Sequence, residues 1–252
     1  MSVLHLTATV VLGPVLLLQG RHVRRVTPVL PEPPGPRDGH AGSGPALRLL
    51  ILGDSAAAGV GAASQQEALA GQLVAQLQGH FSVQWRLLAR TGDATRDALA
   101  ALAALPAQPF DVVVTSLGVN DVTGGHSERR WMADQQALLE RLRRDFGAPR
   151  CLLSALPPMH RFPALPQPLR AYLGAQARRF DRRLQALALD TPGCVWVGYD
   201  DGESGLEPAD MAADGFHPGP AVYREWARRL AAVIRAPGSG RPLPAVGAQA
   251  VG

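Results

Sequence analysis

From residue 47 onward the chain repeats one alternation: a short, mostly apolar run, then a longer stretch in which apolar residues recur every three or four positions. The apolar runs at residues 47–52, 83–88, 111–117, 151–156 and 195–199 are too short for ordinary helices and are rich in Val, Leu and Ile, so they are predicted as strands. The stretches at 65–77, 95–105, 128–146, 169–189 and 222–234 carry the helical period. A strand that is apolar at most positions on both faces has both faces buried, which is the mark of a parallel sheet sandwiched between helices. The fold class predicted is therefore α/β, a three-layer α/β/α sandwich. No internal repeat is visible. In such sheets ligands gather at the carboxyl ends of the strands.

Outside this alternation the pattern changes three times. Residues 1–25 are mostly apolar from Val3 to Leu18 but contain Gly13 and Pro14, and the run is shorter than the roughly 20 residues that cross a bilayer. No basic stretch precedes the run and no small-residue cleavage site follows it, which disfavours a cleaved signal peptide. Two readings stay open: membrane association through residues 3–18, as a peripheral or short anchoring helix, or a helix packed on the domain. Arg21, Arg24 and Arg25 follow the run, so insertion would leave the rest of the chain on the cytoplasmic side. Residues 26–46 include LPEPPGPRDGHAGSGP, which can sustain neither a helix nor a central strand and reads as a linker. Residues 47–236 form the expected domain, and the tail 237–252 is expected to be disordered.

Composition refines this picture in two places. The chain is 46% hydrophobic and 18% charged, enough for a sizeable packed core in its 252 residues. All 25 of its basic residues are Arg, and the net charge is +4. Arginines such as Arg141, Arg143 and Arg144 share a helical pattern with Glu140 and Asp145, so they read as a solvated helix face, and no nucleic-acid partner is expected. The two cysteines, Cys151 and Cys194, make neither a disulfide framework nor a metal-binding spacing, and both are expected to be reduced and buried. No metal is expected.

The chemistry concentrates where strands end. The first strand runs into Gly53, Asp54 and Ser55 (GDS), placing a serine between a strand and a helix with its backbone N–H free to meet an anion. Gly92 follows the second strand in ARTGD, and Gly118 and Asn120 follow the third in SLGVND. Each glycine or amide alone is ordinary turn chemistry; three successive strands delivering such groups to one edge is a stronger signal. Asp214 and His217 stand in DGFHPGP just before the last helix. A carboxylate three residues before an imidazole can hold Nδ1–H and leave Nε2 as a base toward a hydroxyl. Asp38 and His40 repeat that pairing only superficially, inside the Pro/Gly stretch.

The ordered set GDS at 53–55, Gly92, GVND at 118–121 and DGFH at 214–217 resembles the four sequence blocks of the SGNH, or GDSL, hydrolase family, over about residues 47–235. The resemblance implies a flavodoxin-like sheet of five parallel strands, no cofactor, and ester hydrolysis. It implies that Ser55 is the nucleophile, His217 the base and Asp214 its orienting acid, with the Ser55 amide, Gly92 and Asn120 as the oxyanion hole. An α/β-hydrolase elbow is excluded, because position 57, where G-x-S-x-G would have its last glycine, is Ala57.

Substrate residues are expected in the loops after the third and fourth strands: Met159, His160 and Phe162 in PPMHRFPALPQPL, and His126. Their apolar share suits an acyl chain, and a lipolytic or simple carboxylesterase acting on small-molecule or lipid esters is expected first. A carbohydrate O-deacetylase is the alternative, with Trp131 as its one candidate sugar platform. A non-enzymatic flavodoxin-like binding module is a third reading, and the DGFH pair argues against it, since a phosphate cradle has no use for that pair.

Overall fold

The computed structural model describes residues 3–198 and 207–236. Its central sheet is built around β2 (Ala46–Gly53), flanked on one side by β3 (Ser82–Ala89) and on the other by β4 (Val112–Ser116), β5 (Arg150–Ser154) and β6 (Cys194–Val197), all parallel. The strand order β3-β2-β4-β5-β6 is the doubly wound flavodoxin-like order, and it reverses direction at β2. The crevice this creates lies beyond the carboxyl ends of β2 and β4.

Side-chain alternation along β2 explains both helical layers. Leu47, Leu49 and Ile51 point to one face and pack with α3 (Leu69–Leu77) and α8 (Pro220–Arg235); Leu50 and Leu52 point to the other, toward α4 (Thr95–Ala104), α6 (Glu128–Phe146) and α7 (Leu169–Asp190). All five are essentially inaccessible to solvent. Each such side chain contributes about 1.5–3 kcal/mol of hydrophobic burial, and this is why so apolar a strand, whose one charged residue Arg48 is paired with Asp111, is stable only at the centre of a sandwich. In α6 the buried Trp131, Leu138, Leu142 and Phe146 recur at helical spacing. Ser127 starts that helix by accepting the Arg130 amide at 3.2 Å, and Gly147 ends it with a left-handed φ of 55°. On its outer side Arg141 and Arg144 both pair with Asp145.

The Pro/Gly stretch is not a free linker. Residues Asp38–Ala41 form β1, which adds to the sheet antiparallel to β3 and makes it six-stranded. An edge position removes the objection to such a sequence, because an edge strand uses only one row of its hydrogen-bonding groups and tolerates flanking prolines. Gly39 lies against the Trp85 ring, where a Cβ would come within 3.2 Å. Upstream, Arg37 bonds Ala89 O and Glu32, Glu32 accepts from Thr91, and Pro34 O accepts from Gln65. Gln65, expected to begin a helix, lies buried and donates its side chain to Ala58 O instead; the helix begins at Leu69.

The N-terminal apolar segment is helix α1 (Val3–Val26), which continues through Pro14. Leu16 and Val23 are buried in the same core as α7, and Gln19 bonds Gln167 O and the Leu169 amide. No described helix is long and apolar enough to cross a membrane. The two cysteines face each other in register on β5 and β6; both thiols are free, Cys151 buried and Cys194 only half-buried. Tyr199, the expected end of the fifth strand, and the expected tail 237–252 lie outside the described residues.

Candidate active site

Ser55 is the first residue of α2 (Ser55–Ala58), a single helical turn that folds straight back from β2. Gly53 makes that reversal possible: a Cβ there would stand 2.5 Å from the Ala57 Cβ and 2.6 Å from Ser116 O, so β2, α2 and β4 meet in contact only around a glycine. Asp54 caps the turn, its Oδ1 accepting the Ala56 amide at 3.0 Å, and its own N–H donates to Ser116 O at 3.2 Å. The N–H of Ser55, in the first turn, has no acceptor within the helix.

The Ser55 hydroxyl lies 2.8 Å from His217 Nε2, and His217 Nδ1 lies 2.5 Å from Asp214 Oδ2. Because a carboxylate can only accept, Nδ1 carries the proton and Nε2 is left to accept from the serine hydroxyl. Asp214 is itself locked: its Oδ1 accepts the amides of Phe216 and His217, each at 2.9 Å, around a turn whose Gly215 has φ 63°. Burial raises the Asp214 pKa, but hydrogen bonds from the His217 ring and from these two amides outweigh it and hold the carboxyl below its usual range. Asp54 behaves oppositely. It is fully buried beside the site with weaker compensation from the Ala56 amide and from His217, and its pKa is pushed up to about 7. Nothing in the sequence alone marked Asp54 for this, since burial is the whole cause.

Gly92 is exposed, with φ 88°. Asn120, in α5 (Val119–Thr123), is half-buried and donates one amide N–H to Asp93 O at 2.9 Å, which ties the loop after β4 to the loop after β3 and leaves the second N–H for another acceptor.

Beside Ser55 opens a cavity of about 40 Å³ within a wider cleft of about 570 Å³ open to solvent. Its walls include Leu117, Leu156, Phe162, Phe216, Val222 and Trp226, with Asp54, Ser116 and His217 around the serine. Of the four residues expected to bind substrate, only Phe162 lines it. Met159 is wholly buried in the core, and His160 faces solvent against Arg178, with burial and the charges of Arg178 and Arg161 pushing its pKa down. His126 turns instead to Asp121, Nδ1 to Oδ1 at 2.9 Å. Trp131, the candidate sugar platform, is buried and stacked on Phe180 with ring centroids 4.6 Å apart. Leu117 and Phe216, which the motif reading passed over, sit beside Gly118 and inside DGFH; their adjacency to the motifs was the available signal.

Residues 51–225 match the family model described as the GDSL-like Lipase/Acylhydrolase family. No curated protein matches the chain in sequence. Among solved structures, a catalytic variant of the acetylxylan esterase Axe2 from Geobacillus stearothermophilus superposes with a TM-score of 0.56 at 18% identity, covering 77% of this chain and 96% of that one. TesA gives 0.55 at 22% identity, covering 75% and 98%. The lipase Lip_vut3 from a goat rumen metagenome gives 0.57 at 19%, covering 74% and 97%. At these identities the likeness is one of fold.

Proposed function

The chain belongs to the GDSL-like lipase/acylhydrolase family, and from that premise we propose that it is a serine carboxylesterase acting on esters of short acyl chains. The observation that most supports this is the continuous hydrogen-bonded series Asp214, His217, Ser55, with the serine opening onto the apolar cavity. As the Ser55 oxygen attacks the ester carbonyl, His217 Nε2 takes its proton, and Asp214 stabilises the imidazolium that forms. The Ser55 and Gly92 amides and the free N–H of Asn120 receive the oxyanion. His217 then returns the proton to the departing alcohol. In the second half His217 takes a proton from water, which cleaves the acyl-enzyme and regenerates Ser55.

The short-acyl assignment rests on size. A cavity of about 40 Å³ takes a few water-sized groups, at about 10–15 Å³ each, and Phe162, Leu156 and Trp226 bound it. The wider open cleft leaves room for the alcohol part. The carbohydrate reading loses its candidate platform, since Trp131 is inside the core. A series of p-nitrophenyl esters from acetate to palmitate tests the proposal: kcat/KM is expected to be highest at the shortest chains and to fall with length, with Ser55→Ala inactive on all. Turnover that rises toward palmitate would overturn the acyl assignment, and equal turnover by Ser55→Ala would overturn the mechanism.

A further inference from the structure

Helix α1 has two faces of unequal fate. One is anchored by Leu16, Gln19 and Val23 on the domain. On the other, Leu17 and Leu18 are 62% and 64% exposed. That outer face turns basic one helical turn later, at Arg21, Arg24 and Arg25, all exposed and none in an ion pair among the described residues. The helix contains no Asp or Glu between residues 3 and 26. Exposed leucines beside unpaired arginines, with no acid among them, form a surface that gains from apolar burial and from negative charge together.

We propose that the outer face of α1 rests on an anionic lipid surface, the helix lying in the interface rather than crossing it. No described helix is long and apolar enough to span a bilayer, and a spanning α1 would have to abandon the buried Leu16 and Val23. A second copy of the chain is a poorer occupant, because a two-fold pairing of this face brings the same acid-free, arginine-bearing helix against itself. The position of the helix gives the contact a consequence. Gln19 grips residues 167–169, the start of α7, immediately after the loop that carries Phe162 to the cavity and bonds Gly215 O through the Ala164 amide. Since α7 starts after β5 and returns to β6, this is the edge of the sheet where Ser55 lies. A lipid surface under α1 is thus held beside the catalytic edge, where an ester at the interface reaches the cleft without first crossing bulk water.

Cosedimentation of the full chain with phosphatidylcholine vesicles, with and without phosphatidylglycerol, tests this, alongside turnover of p-nitrophenyl acetate and light scattering for oligomeric state. The chain is expected to bind the anionic vesicles and to lose binding as salt rises. Replacing all three of Arg21, Arg24 and Arg25 by Gln is expected to weaken binding about tenfold or more, and Leu17→Glu with Leu18→Glu to abolish it. Both variants should keep wild-type turnover of the soluble ester, because these residues are exposed and outside the site; if the Leu variant does not fold, the Arg variant alone decides. The proposal is overturned if the wild type ignores anionic vesicles, if the variants bind as it does, or if light scattering shows this face closing a dimer. Loss of acetate turnover in the wild type would count against the esterase reading and leave the vesicle result to stand by itself.

Discussion

Among the described residues, two carboxylate–imidazole pairs stand on the same edge of this molecule, and one of them faces a hydroxyl that could be activated. In the first, Asp214 holds His217 Nδ1 while Nε2 reaches the Ser55 oxygen at 2.8 Å. In the second, Asp121 holds His126 Nδ1 at 2.9 Å with a comparable hydrogen bond, but the rest of the carboxylate is taken by Thr95, whose amide and hydroxyl donate to Oδ2 at 3.0 and 2.8 Å. Thr95 in turn accepts from the buried Gln135. The second pair therefore joins α4, α5 and α6 and keeps the Asn120 turn in place. An Asp–His pair is no evidence for a base by itself. Its third partner decides whether the imidazole's basicity is spent on a nucleophile or its N–H on a scaffold.

The contrast is broken most forcefully at the imidazoles. His217→Ala should lower kcat by about 10⁴ or more, while His126→Ala should change kcat by less than about threefold and instead lower the melting temperature, because a buried Asp121 loses a donor. Steady-state kinetics with thermal melts on the two proteins check both halves; comparable losses of kcat would erase the distinction. Between the pairs lies Asn120, adjacent to Asp121 but assigned to the oxyanion. Asn120→Ala is expected to lower kcat by about 10² to 10³ with a smaller change in KM, and a change confined to KM would make it a binding residue only.

The carboxylates sharpen the comparison further. Asp214→Asn should cost at least about tenfold in kcat, rising toward about 10⁴ if the base depends wholly on it. Asp121→Asn should instead leave kcat within about threefold: its amide NH₂, in place of one carboxylate oxygen, would face either the Thr95 donors or His126, a cost of about 1–3 kcal/mol visible as a lower melting temperature. Asp54 is read through stability alone. Its carboxyl has a pKa of about 7 in the folded chain and about 4 when unfolded, so the folded state binds more protons between those values. The stability this group contributes is complete below about pH 4 and is lost as pH rises through about 7. Asp54→Asn stays neutral throughout, so the wild-type melting temperature minus that of the variant should decline across this window. A difference independent of pH would contradict the assignment.

The strands and the motifs were largely legible because both are local: an apolar run of β2 is apolar whatever surrounds it, and Asp214 and His217 share one turn. What was illegible is what depends on the neighbours. The stretch 38–41 became a strand because β3 offered it an unpaired edge and Trp85 a flat surface for Gly39. Met159, His160 and His126 lie in the segments that follow the third and fourth core strands, but their side-chain directions are set by the core, by Arg178 and by Asp121 respectively. Asp54 became unusual only through burial.

The most direct test of the central claim is covalent capture of the nucleophile. An organophosphonate ester, incubated with the full chain and followed by mass mapping of peptides, should leave one adduct on Ser55. The adduct should be absent in Ser55→Ala and form far more slowly in His217→Ala, while His126→Ala labels at the wild-type rate. An adduct on another residue of the cleft such as Ser116, or undiminished labelling of His217→Ala, would contradict the account.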